Sequence, residues 1–105
     1  MTLPQRGNLS PDLVSTLATL ANGLVETFGS SLEVVVHDFA LLPNSIVAIA
    51  GNVTGRSVGG PMTNLGFKQI RMGITDDIIN YRSSAPDGRP LKCSTMLIRN
   101  EKGEP

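Results

Sequence analysis

SIVAIAGNVTGRSVGGP, Ser45 to Pro61, is the stretch whose reading decides the fold. It opens as an apolar run, Ser45 to Ala50, β-branched at Ile46, Val47 and Ile49, which reads as a strand. It then turns polar, with Gly51, Gly55, Gly59 and Gly60 and one cation, Arg56. A flat apolar segment that passes into a sharply turned polar one reads as a sheet element delivering a loop to the mouth of a cavity. Such an arrangement suits binding rather than catalysis.

The run just before it, LEVVVHDF from Leu32 to Phe39, is also β-branched and alternates. Glu33, Val35 and His37 share one face, and Val34, Val36 and Asp38 the other. The link through Pro43 and Asn44 is short, so the two runs are expected to pair as an antiparallel hairpin. Upstream, Met1 to Leu9 reads as a flexible leader. Ser10-Pro11-Asp12 is a helix start: a hydroxyl acceptor, a proline suited to the first helical position, and an acid at the positive end. Leu13, Leu17, Leu20, Leu24 and Phe28 follow at steps of three or four, widened by Val14, Ala21 and Val25. The pattern predicts one amphipathic helix, Pro11 to Phe28, ended by Gly29.

Downstream, Thr63 can cap a short helix from Asn64 to Met72, with Leu65, Phe67 and Ile70 on its apolar side. A third strand is expected over Asp77 to Ser84 and a fourth over Pro90 to Arg99, joined by the turn Ala85-Pro86-Asp87-Gly88. In the fourth strand Leu91, Cys93, Thr95 and Leu97 alternate with Lys92, Ser94, Met96 and Ile98. Asn100 to Gly103 is a further tight turn, yet the chain stops at Pro105. An apolar edge strand invites pairing. A final strand is therefore expected to be missing from this chain, either cut away or supplied by another chain, and a cut is the preferred reading.

With 105 residues the chain has the length of one domain, taken here as residues 10–105. A hydrophobic fraction of 40% and a charged fraction of 17% fit a folded globule rather than a disordered one. Nine basic and nine acidic side chains leave no net charge, so this segment lacks the basic surface that gripping nucleic acid requires. One cysteine, Cys93, excludes an internal disulfide and suits a reducing compartment. No secretory signal or membrane-length apolar run is present, and a cytoplasmic location is expected.

EVVVHDF (Glu33 to Phe39), SIVAIAGNVTGRSVGGP (Ser45 to Pro61), NYRSSAPDGRPLKCSTMLIRNEKG (Asn80 to Gly103) and the leading helix that ends in TFG together resemble the YheO-like PAS domain. The resemblance implies an α+β, PAS-like fold: an antiparallel sheet with flanking helices and a cavity between them. It also implies the N-terminal sensory half of a bacterial transcriptional regulator, followed by a helix-turn-helix. On this resemblance the family's final strand and its DNA-binding region are expected to lie outside the sequence. Partners implied are a small metabolite, a second copy of the chain through its N-terminal helix, and DNA only through the absent region. No membrane partner and no cofactor are expected. The alternative is a ligand-free dimerisation or scaffold domain.

An enzyme is not expected. His37 and Asp38 are strand neighbours that point to opposite faces, and no nucleophile elbow surrounds Ser94 or Thr95. One His and one Cys give no metal-ligand spacing, and the glycine-rich loop fits neither a Walker nor a dinucleotide pattern. The candidate ligand-binding residues are Arg56, His37, Tyr81, Asn52, Ser94 and Thr95. Arg56 has two readings: a guanidinium that takes a ligand carboxylate, or a structural arginine holding the loop to Asp38 or Glu33. Tyr81, the sole tyrosine, is expected to share a strand face with Ile79 and Ser83 and can place its hydroxyl in a cavity or simply pack. Ser94 and Thr95 can supply pocket polarity or bond across strands.

Overall fold

The computed structural model describes residues 9–61 and 76–98. They fall in two compact units that divide between Phe67 and Lys68. The expected leader and the expected helix over 64–72 lie outside the described residues, apart from Leu9.

The first unit holds helix α1, Pro11–Phe28, and a two-stranded antiparallel hairpin, β1 (Val34–His37) with β2 (Ile46–Ala50). The Ser10 hydroxyl accepts from the Leu13 N–H at 3.1 Å, and the Gly29 N–H closes the far end on the Val25 carbonyl at 2.8 Å. Such an N-cap stabilises a helix by about 1 kcal/mol. The helix packs on both strands of the hairpin. Ala21 is its buried residue, flanked by half-buried Leu13, Val14, Leu17, Ala18 and Val25. Ile46, Ala48 and Ala50 are the buried side of β2. Alanines on both partners let helix and sheet come close together.

One detail of the helix departs from the expected stripe. Leu20, Leu24 and Phe28 are exposed, at 59%, 45% and 67%. The apolar pattern is wider than the hairpin can cover. The chain therefore seats the Ala21 line and leaves the Leu20–Leu24–Phe28 line outside.

β1 is shorter than its apolar run. The Asp38 carboxylate accepts from the Ala40 N–H at 3.0 Å and starts a 3-10 turn, Phe39–Leu41, that ends the strand. Pairing runs Val34–Ala50, Val35–Ile49, Val36–Ala48 and then His37–Ile46, so Val47 is an extra residue and the ladder bulges there. At the other end of β2, Gly51 has φ +84°, and a Cβ on it would collide with the Leu32 carbonyl oxygen. Only glycine fits there, because the left-handed turn and the close backbone approach coincide.

The loop after Gly51 returns to the strand it left. The Gly59 N–H donates to the Ile46 carbonyl at 2.8 Å, and the Ile46 N–H donates to the Gly60 carbonyl at 3.3 Å. Ile46 is thus bonded through both backbone groups to the end of its own loop.

The second unit is an antiparallel hairpin, β3 (Ile78–Ser84) with β4 (Pro90–Thr95). Its turn forms as expected: the Gly88 N–H reaches the Ala85 carbonyl at 2.9 Å, with φ +88° at Gly88. β4 ends four residues before the expected Arg99. The Leu97 N–H bonds the Asp77 carboxylate at 2.7 Å instead of continuing the ladder. Asn80 has φ +60°, and the register slips between Ile78 and Tyr81. That bulge breaks the expected sharing of a face: Tyr81 and Ser83 are half-buried with Ile78, while Ile79 is 55% exposed. The alternation expected of β4 holds, with Leu91, Cys93, Thr95 and Leu97 on the more covered side.

Candidate functional site

The site is built on Glu33, at the entry to β1. Its Oε2 accepts from the backbone N–H groups of Val53 and Thr54, both at 2.8 Å. Its Oε1 accepts from the Thr54 hydroxyl at 2.7 Å and faces an Arg56 terminal nitrogen at 3.4 Å. The Arg56 Nε donates to Thr54 Oγ1 at 3.0 Å. One carboxylate thus organises the first half of the loop. The sequence names it as one of two possible anchors for Arg56. The other, Asp38, is spent on the Ala40 N–H and on the Leu9 N–H at 3.1 Å.

The ion pair is unevenly exposed. The Glu33 side chain is 6% exposed and that of Arg56 24%. Burial raises the Glu33 pKa. The Thr54 N–H and hydroxyl, the Val53 N–H and the Arg56 charge outweigh burial and hold it below its ordinary 4.5. The carboxylate is satisfied largely by uncharged donors. A guanidinium carries five N–H donors, and the bonds seen for Arg56 use its Nε and one terminal nitrogen. Arg56 is therefore pinned in orientation while keeping donors for water or a ligand.

His37 lies on the same unit, with Nδ1 hydrogen-bonded to the Ser45 hydroxyl at 2.8 Å. Burial, and then the positive charge of Arg56, push its pKa down from 6.5 to about 4. The ring is neutral at pH 7. Ser45, wholly buried, is absent from the residues the sequence singles out. Its place just ahead of β2, across the hairpin from His37, was the available signal. Asn52 is exposed at the turn out of β2. His37, Asn52 and Arg56 accordingly belong to one hairpin and its loop, while Asp38 bonds elsewhere and forms no dyad with His37.

The remaining three candidates lie on the second unit, and they split. The Tyr81 and Thr95 hydroxyls share a hydrogen bond of 2.8 Å. Ser94 lies on the opposite side of β4, where its hydroxyl accepts from the Asn80 N–H at 3.1 Å. Among the described residues no three His, Cys, Asp or Glu side chains converge as metal ligands, and no helix is long and apolar enough to cross a membrane.

Residues 8–105 match the family described as the YheO-like PAS domain. The chain is 32% identical over 95 residues to the uncharacterized protein YheO of Escherichia coli (strain K12), covering 87% of this chain and 40% of that relative. The corresponding YheO of Shigella flexneri matches to the same extent. An uncharacterized protein of Haemophilus influenzae is 26% identical over 91 residues, covering 85% of this chain and 41% of the relative. The chain thus spans about two fifths of the length of these relatives. No solved structure matches it significantly. The helix and two antiparallel hairpins are the α+β, PAS-like arrangement that the family implies. The chain belongs to the YheO-like PAS domain family, and PAS domains are generally sensory or regulatory rather than catalytic.

Proposed function

We propose that this chain is the ligand-sensing domain of a bacterial DNA-binding transcriptional regulator. It binds a small cytoplasmic metabolite that carries a carboxylate. Binding favours one arrangement of the domain or its dimer and so biases an attached helix-turn-helix. A ligand can do this only through unequal affinity for the two arrangements. The observation that carries the reading is Arg56, anchored through Thr54 and Glu33 yet still partly open to water. A guanidinium held in place and not fully used is ready for a carboxylate. Neutral His37, which feels the Arg56 charge, and exposed Asn52 are further polar groups of the same unit.

A screen of amino acids, keto acids and nucleotides by thermal shift tests the reading, because a ligand of the native state raises the melting temperature. We expect a carboxylate-bearing hit. Arg56→Gln is expected to weaken that hit about tenfold while leaving binding of its amide analogue unchanged, a loss equal to one charge-assisted bond. Equal losses for acid and amide would remove Arg56 from the site. Silence across the whole screen would favour a ligand-free dimerisation domain. The exposed Leu20–Leu24–Phe28 line supports that second reading, with a second copy of α1 as the surface that covers it.

A further inference from the structure

Arg82 and Lys92 are directly opposed across the β3–β4 hairpin, and both are exposed. Like charges opposite one another on an antiparallel pair destabilise it. No described residue offsets them: neither side chain has a hydrogen bond or ion pair with one. Among the described carboxylates of this unit none is paired with either cation. Asp77 holds the Leu97 N–H, Asp87 holds Arg89 at 2.7 Å, and Asp76 lies beyond the end of β3 away from the turn. Arg82 and Lys92 also line an open concavity of about 510 Å³ with Asn80, Pro90 and Leu91. Its lining offers two cations, a side-chain amide and the apolar Pro90 and Leu91.

The geometry points to a second binding site on the outer face of this hairpin, for the phosphate group of a small molecule. A guanidinium fork takes two phosphate oxygens side by side, and an ammonium takes a third as a point charge. A doubly charged anion between the two cations turns their repulsion into two attractions. The zero net charge of the chain argues for a small phosphate ester over a nucleic-acid backbone, which would need a wider basic surface. The site stands in a different unit from Arg56 and does not depend on its role.

The test compares the whole chain in inorganic phosphate and in glycerol phosphate with the same chain in chloride at matched ionic strength. Melting temperature and backbone amide NMR shifts are followed together. Both phosphates are expected to raise the melting temperature saturably and to shift the amides of Asn80, Arg82 and Lys92. Lys92→Gln is expected to be more stable than the parent in chloride, because the repulsion is gone, and to bind either phosphate about tenfold more weakly. Arg82→Gln should weaken phosphate binding equally, and Arg56→Gln should leave it unchanged. Identical behaviour in phosphate and chloride would overturn the proposal. So would a phosphate response that survives in both Arg82→Gln and Lys92→Gln. A single-stranded oligonucleotide that shifts these amides where glycerol phosphate does not would also overturn it, and would make the face a nucleic-acid contact.

Discussion

Glu33 does more in this structure than any residue that invites a catalytic reading. Its carboxylate collects two backbone N–H groups, a hydroxyl and a guanidinium, all from the loop Val53 to Arg56. Removing it leaves covered donors without an acceptor, which costs more than the bonds themselves are worth. Glu33→Ala is expected to lower unfolding stability by about 2–3 kcal/mol, and Glu33→Gln, which keeps one acceptor oxygen, by about half as much. Urea unfolding of both variants against the parent checks the order. Equal losses would mean that charge, not acceptor geometry, holds the loop. The sequence offered Glu33 and Asp38 as anchors for Arg56 but could not choose between them. That choice depends on where the loop returns in space. Alternation along a strand reports the face and not the distance.

At the scale of elements, helix α1 was legible to its last residue, because its cap, its periodicity and its terminal glycine agree. Which side of it would be buried was not legible. Leu13, Leu17, Leu20, Leu24 and Phe28 look like one stripe, yet the hairpin covers the line centred on Ala21. Hydrophobicity favours the larger side chains for burial, while close packing against Ala48 and Ala50 favours the smaller ones. Leu24→Glu places a charge in the middle of the open line. It is expected to change stability by less than about 0.5 kcal/mol, as exposed substitutions do. It is also expected to convert a dimer into a monomer by light scattering. A parent chain that is already monomeric would dismiss the helix as a pairing surface. The third strand keeps Tyr81 with Ser83, as alternation assigns, but not with Ile79, for a local reason: Asn80 adopts a left-handed conformation, and the bulge there puts Ile78 instead of Ile79 on the covered side.

For the whole molecule, the family and the α+β class were readable because several motifs occur in order along most of the chain. The candidate residues divide between the two units: His37, Asn52 and Arg56 belong to one hairpin and its loop, while in the other unit Tyr81 and Thr95 satisfy each other and Ser94 serves the backbone, a division that depends on hydrogen-bond partners the sequence does not display. Stability of the whole molecule should also depend on pH in two separate windows. The folded pKa of His37, about 4, lies below the 6.5 of a free imidazole, so between those values the unfolded chain binds more protons. Stability is fullest above pH 6.5 and falls as pH drops toward 4. Glu33, also depressed, contributes stability above its ordinary 4.5 that is lost as pH falls further. The urea midpoint is expected to follow this course. His37→Gln should flatten the upper window and leave the lower one in place. A His37→Gln profile that matches the parent would remove the imidazole as the cause.

The anchor of the central loop is read through backbone amides, and this sets what the loop will tolerate. Val53 contributes its N–H to Glu33, and any residue but proline could do the same. Letters at Asn52 and Val53 are therefore interchangeable as far as docking goes, whereas spacing is not. Inserting or deleting a single residue between Ala50 and Thr54 would carry both amides past the carboxylate. The loop should drift in spelling at positions 52 and 53 and resist any change of length.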